Sequence, residues 1–251
     1  MLLEVRRLAK RFKDVEAVRG VSFEIEPGET LGLVGESGCG KSTLARLAAR
    51  LLEPDAGEIY FENREISHKG QKELFVFRYK VQIVFQNPFS SFDPRLRVGD
   101  SLGEALRLGG ETSEPRIRER AQDLLRSVEL PPELAGRFPH ELSGGECQSV
   151  AIARALSRNP GLLICDEPVS SLDLLAQARI LNLFLRLQKQ NGISLLFISH
   201  DLRVIRHLCD RVLVMKEGSF CEEGPISQVF ENPRHPYTQE LLVSAGFRAQ
   251  A

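Results

Sequence analysis

The run Gly35-Glu36-Ser37-Gly38-Cys39-Gly40-Lys41-Ser42 decides how this chain is read. It follows the apolar stretch Thr30-Leu31-Gly32-Leu33-Val34 and opens a segment in which Leu44, Leu47, Ala48 and Leu51 share one helical face. A strand, a glycine loop with the pattern G-x-x-x-x-G-K-S and a helix start, in that order, make a phosphate-binding loop. The glycines let backbone N–H groups turn inward, and the helix dipole adds positive potential at the same point. In such a loop Lys41 reaches the β- and γ-phosphates and the Ser42 hydroxyl coordinates Mg²⁺. The chain is therefore expected to bind a nucleoside triphosphate.

A phosphate loop needs an acidic counterpart, and Leu162-Leu163-Ile164-Cys165-Asp166-Glu167-Pro168 supplies one. Its carboxylates close an apolar strand, and ligands sit at the carboxyl ends of parallel strands. Asp166 is placed to hold Mg²⁺ beside Ser42, directly or through water. Side chains alternate along a strand, so Glu167 points elsewhere and can polarise the attacking water.

Between these elements the texture changes. Leu2–Ala9, Ala17–Ile25 and Gly57–Phe61 read as antiparallel strands, and Val81–Phe85 as a short apolar strand ending at Gln86. From about Asn87 to Ser157, Leu102–Leu108, Ile117–Leu130 and Ser143–Leu156 carry helical spacing. Strands return at Leu162–Cys165, Ile193–Ile198 and Arg211–Met215, with a helix over Leu174–Gln190. That β-α-β texture predicts a parallel sheet covered on both faces and interrupted by a helical insertion.

Composition narrows the function classes. With 33 basic and 34 acidic residues the net charge is −1, which gives no general basic surface for nucleic acid. No apolar run is long enough to cross a bilayer, and the first residues lack the regions of a secretion signal. The five cysteines, at 39, 147, 165, 209 and 221, have no metal-ligand spacing. They read as reduced small residues of a cytoplasmic protein.

Leu142-Ser143-Gly144-Gly145-Glu146 opens another helix, with Ser143 as its cap and two glycines exposing N–H groups at its positive end. It is an anion site without a lysine or metal acid of its own. Taken with the phosphate loop, Gln86, Asp166-Glu167, Ser170-Ser171-Leu172-Asp173 and Ile198-Ser199-His200-Asp201, in that order, it makes the chain resemble the ATP-binding subunit of ATP-binding cassette (ABC) transporters over nearly its whole length. The resemblance implies an α/β fold: a P-loop NTPase (RecA-like) core with an antiparallel β subdomain and an inserted α-helical subdomain. The ATPase domain would span 1–225, with its core at 1–86 and 158–225 and the insertion at 87–157. A short C-terminal extension would follow at 226–251.

The resemblance also implies roles. Two such domains, identical or different, would pair head to tail with ATP and Mg²⁺ between them. Each nucleotide would touch one subunit's Gly35, Ser37, Gly38, Cys39, Gly40, Lys41, Ser42 and Thr43. The other subunit would contribute Ser143, Gly144 and Gly145, with Asp173 speaking across the interface. Phe12 would stack on adenine, Gln86 would contact Mg²⁺ or water, and His200 would meet the γ-phosphate and position Glu167. Catalysis would rest on Glu167, His200, Gln86 and Lys41, and the metal on Ser42, Gln86 and Asp166. The segment Phe85–Arg95 would receive a membrane subunit, with an exposed Phe pair as the apolar floor. The implied partners are membrane permease subunits, a second ATPase subunit and, indirectly, a substrate-binding protein. The implied location is the cytoplasmic face of the membrane.

Within the family, Asn87–Arg95 and Phe230–Thr238 look most like importers of oligopeptides, dipeptides and nickel. Many peptide-type members continue into a cysteine-bearing tail; here no cysteine follows Cys221, so an iron–sulfur cluster is not expected, and the short tail tilts the expectation toward nickel or metal chelates. The alternative, a cassette protein of DNA repair or translation, usually carries paired cassettes or a long coiled coil, and neither is present. The signature itself departs from the usual form: Glu146 stands where Gln is common, and Cys147 and Ser149 replace residues that are often basic. A carboxylate within about 4 Å of phosphate oxygens would repel them by a few kcal/mol at an effective dielectric near 20. The composite site built on this signature is therefore expected to be the weaker one.

Overall fold

The structure, a computed structural model, describes residues 1–70 and 72–247. Two long strands open the chain, β1 (Leu3–Phe12) and β2 (Val15–Ile25), paired antiparallel from Leu3↔Ile25 to Phe12↔Val15. They form because Leu3, Val5 and Leu8 on one strand, and Val18, Val21, Phe23 and Ile25 on the other, bury a common face. The phosphate loop lies between β3 (Thr30–Val34) and α1 (Lys41–Ala48). Then come β4 (Ala56–Phe61), β5 (Arg64–Glu65), α2 (Leu74–Lys80) and β6 (Val81–Val84). Three helices follow: α3 (Val98–Leu108), α4 (Glu114–Ser127) and α5 (Gly144–Leu156). The remainder runs β7 (Leu162–Asp166), α6 (Leu174–Asn191), β8 (Ser194–Ile198), α7 (Leu202–Leu208), β9 (Arg211–Lys216), β10 (Ser219–Pro225), α8 (Ile226–Glu231) and α9 (Pro236–Ser244).

These elements build two sheets. One is antiparallel, in the order β2-β1-β4-β5; the other is β10-β9-β3-β8-β7-β6. In the second sheet β9, β3, β8, β7 and β6 are parallel, and β10 closes the edge antiparallel to β9. Its central strands β3, β7, β8 and β9 are buried on both faces, as a covered parallel sheet requires. Leu163, Cys165, Leu195, Phe197, Val212 and Val214 share one core with the helical insertion, α6 and α7. Their neighbours Leu162, Ile164, Leu196, Ile198, Leu213 and Met215 share the other with α1 and the antiparallel sheet. The period of two along each strand thus divides the interior into two cores.

This topology brings the chemistry together. Leu33 and Asp166 both lie opposite Ile198 in the register. The strand ends leading into Gly35, Glu167 and His200 therefore share one edge of the sheet. Among the described residues no helix is long and apolar enough to cross a membrane.

Candidate active site

The phosphate loop is held from three sides. Lys41, only 5% exposed, donates from Nζ to the carbonyls of Gly35 (2.8 Å) and Glu36 (2.7 Å). The β9–β10 turn donates Gly218 N–H to Cys39 O at 2.9 Å. From the C-terminal segment, the Tyr237 hydroxyl accepts from Glu36 N–H at 3.0 Å. Gly40, at φ 112°, could not carry a side chain: a Cβ would sit 2.1 Å from Ala17 O. The Cys39 thiol lies inside the loop, and burial pushes its pKa up against the pull of Lys41. It is a buried spacer in its thiol form.

Across from the loop, the Ser42 hydroxyl donates to Asp166 Oδ1 at 2.9 Å. Burial raises the Asp166 pKa, the Ser42 hydrogen bond lowers it, and the Glu167 charge raises it again. Glu167 does not continue the strand as alternation predicts. Its backbone is left-handed at φ 50°, a conformation that non-glycine residues rarely adopt. Glu167 N–H donates to Ile198 O (3.1 Å), and Glu167 Oε2 lies 3.0 Å from His200 Nδ1. Gln86 stands on the same side, but its Nε2 donates to Ser170 Oγ (3.0 Å), whose hydroxyl in turn donates to Glu167 O (3.1 Å).

Gly38, Cys39, Gly40, Lys41, Ser42, Thr43, Gln86 and Glu167 line one cavity of about 500 Å³. The same cavity is walled by Val15, Ala17 and Arg19 of β2 and by Glu217-Gly218 of the β9–β10 turn. Sequence reading missed all five. Val15, an apolar residue 65% exposed, opens a strand whose alternation gives no hint of a ligand. Phe12 does not line this cavity; it lies at the end of β1, 44% exposed, with Lys10 Nζ 5.7 Å from the ring centroid. That exposure disposes of core packing as its role.

The signature lies elsewhere. Ser143, Gly145 and Glu146 line a second cavity of about 290 Å³ with Asp173, and no phosphate-loop residue reaches it. Gly145 allows α5 to touch α6 here, because a Cβ would sit 2.9 Å from Ala176 Cβ. Asp173 caps α6 by accepting from Ala176 N–H at 2.9 Å. Glu146 turns back onto the start of its own helix. Its Oε2 accepts from both the N–H and the hydroxyl of Ser143, each at 2.8 Å, while Ser143 Oγ caps Glu146 N–H. This capping box sets the charge against the positive helix end. The exposed Phe pair also needs correction. Phe89 is exposed, but Phe92 is buried beneath the Arg154 guanidinium, 4.5 Å from its ring centroid.

Phosphate loop, strand-end acids and separate signature helix define a P-loop ATPase of the ATP-binding cassette class. The likeness extends to solved structures. A dimeric ATP-binding cassette in a post-hydrolysis state with ADP and phosphate matches 90% of this chain and 99% of its own, at 30% identity and a TM-score of 0.82. The cbiO1 component of an ABC transporter complex from Clostridium perfringens matches 91% and 90%, at 32% identity and the same TM-score. The sequence profile of the ABC transporter family matches residues 18–170, and the chain belongs to that family. It is 46% identical over 237 residues to the di/tripeptide transport ATP-binding protein DppF of Pseudomonas aeruginosa (strain UCBPP-PA14), covering 94% of this chain and 73% of that protein. To the oligopeptide transport ATP-binding protein OppF of Haemophilus influenzae it is 43% identical over 256 residues, covering 96% and 77%.

Proposed function

We propose that the chain is the ATP-hydrolysing subunit of a peptide importer, working as one of two paired cassettes beneath membrane subunits. The separation of the two glycine-rich elements carries this reading. The loop at 35–42 and the signature at 143–146 line different cavities of one chain, so a site needing both is completed by a second cassette. A homodimer and a heterodimer with a related chain both satisfy that geometry. The names of the relatives support peptides over the metal chelates suggested by the short tail. A substrate-binding protein outside the membrane would deliver the cargo.

The residues fit Mg-ATP. A glycine cradle closed to side chains, a buried lysine and a buried carboxyl beside a serine hydroxyl are what a metal-bound triphosphate requires. Ser42 and Asp166 would hold Mg²⁺, with Gln86 reaching the same region after leaving Ser170. The ion supplies charge neutralisation for the phosphates. Lys41 binds the β- and γ-phosphates. Glu167 orients and polarises the attacking water, and His200, 3.0 Å from its carboxylate, holds that carboxylate and meets the γ-phosphate. Phe12 stacks on adenine beside Val15 and Ala17. Positioning and electrostatics do most of the work in such a reaction. A groove of about 260 Å³ that includes Leu51, Gln82 and Phe85, together with the exposed Phe89 four residues beyond Phe85, would seat a membrane subunit and hold the chain at the cytoplasmic face.

Glu167→Gln tests the assignment in the transporter reconstituted with its membrane subunits. Mg-ATP binding should persist, and steady-state hydrolysis should fall at least about 100-fold. Hydrolysis that continues at the wild-type rate would remove Glu167 from the mechanism.

A further inference from the structure

The C-terminal extension is part of the nucleotide site: we infer that Tyr237 positions the Lys41 ammonium through a shared peptide group. The proposal rests on the reading of Lys41 as the phosphate-binding cation. The peptide joining Gly35 to Glu36 is engaged at both ends. Its carbonyl, Gly35 O, accepts from Lys41 Nζ at 2.8 Å, and its N–H donates to the Tyr237 hydroxyl at 3.0 Å. Hydrogen bonds at the two ends of one amide polarise each other, so the outer one strengthens and aims the inner one.

Tyr237 is itself held firmly. It is 4% exposed and belongs to the larger core, and Lys216 Nζ lies 4.7 Å from its ring centroid. Its own N–H donates to His235 Nδ1 at 3.1 Å, which caps α9. Upstream, Glu222 of β10 accepts from the N–H groups of Arg234 (2.8 Å) and His235 (3.0 Å). The order of dependence therefore runs from β10 through the cap of α9 to Tyr237, then to the loop and its lysine. Gly35 packs with no slack, because a Cβ there would sit 2.1 Å from Met215 O. A shift of α9 is therefore transmitted to the loop.

Tyr237→Phe removes the hydroxyl and keeps the ring. In the full chain with its partner subunits, ATP affinity and KM for ATP should weaken about three- to ten-fold. kcat should change less than about two-fold, and the nucleotide-free melting temperature should fall by no more than about 6 °C, the loss of one ordinary hydrogen bond. The amide of Glu36 should exchange faster with solvent in the variant. Glu222→Gln, at a residue whose hydrogen bonds do not reach the loop, should move KM in the same direction by a smaller factor. Unchanged affinity in a folded Tyr237→Phe chain overturns the proposal, as does a fall in melting temperature with no change in KM. Wild type is measured in parallel: if it binds no Mg-ATP, the functional reading fails, whereas equal binding by both chains overturns only the role of Tyr237.

Discussion

Asp166→Asn should make the nucleotide-free chain more stable while removing its Mg-dependent hydrolysis. Asp166 is 6% exposed and takes a hydrogen bond from the Ser42 hydroxyl. Asparagine has nearly the same shape and keeps an oxygen for Ser42, so the substitution removes the charge and little else. Burying an ionised carboxylate costs several kcal/mol after relaxation. The Ser42 hydrogen bond and the fields of Arg46 and Lys41 offset part of that, leaving a net cost of about 1–2 kcal/mol. For a chain of this size that corresponds to roughly 2–8 °C in melting temperature. The pH dependence gives an independent check. The folded pKa lies above the ordinary 3.8, so the folded chain binds more protons than the unfolded chain between those values. Wild-type stability therefore falls as pH rises through that window and stays lowered above it. The variant carries no such titration, so its advantage is absent below the window and complete at neutral pH. Melting curves in chelator, across pH, measure the difference directly; adding Mg-ATP should then stabilise wild type more than the variant. A variant that melts below wild type at neutral pH, or an offset independent of pH, would show that the buried Asp166 charge carries no such cost.

Two further substitutions separate roles that the sequence left joined. Phe12→Ala should weaken ATP affinity by about 1–2 kcal/mol, roughly 5- to 30-fold, with stability changed by less than about 0.5 kcal/mol because the ring is exposed; equal affinity would assign the adenine to Val15 and Ala17 alone. Glu146→Gln should change the ATPase rate of the assembled complex by less than about three-fold, since either side chain completes the capping box on Ser143. A larger rise would restore the view that the carboxylate repels the partner's phosphates.

Much of this molecule was legible in its residues. The phosphate loop announced its strand, its helix and its ligand, because glycine, lysine and serine at that spacing serve little else. The apolar runs at 162–165 and 193–198 indicated strands covered on both faces, and the structure places strands there at Leu162–Asp166 and Ser194–Ile198. What escaped reading was short or polar. α7 spans seven residues, too few for helical periodicity to register. β10 carries Glu222, Glu223 and Gly224, which an edge strand tolerates and an alternation rule rejects. The site was less legible where it depends on folding. Nothing in the order of residues indicates that Glu167 adopts a left-handed backbone, that Glu146 turns back to Ser143, or that Tyr237 reaches a loop some two hundred positions earlier. Phe92, read as surface, is buried because Arg154 covers it.

Each nucleotide is expected to lie between two cassettes, and the Glu167→Gln chain with its cognate partner subunits, which should bind Mg-ATP without hydrolysing it, is the form in which that pairing can be counted. Light scattering combined with nucleotide counting should find a Mg-ATP-dependent pair of cassettes holding two nucleotides, which falls apart when Ser143→Arg blocks the signature. Cassettes that bind Mg-ATP singly and show no nucleotide-driven pairing would rule out a shared site.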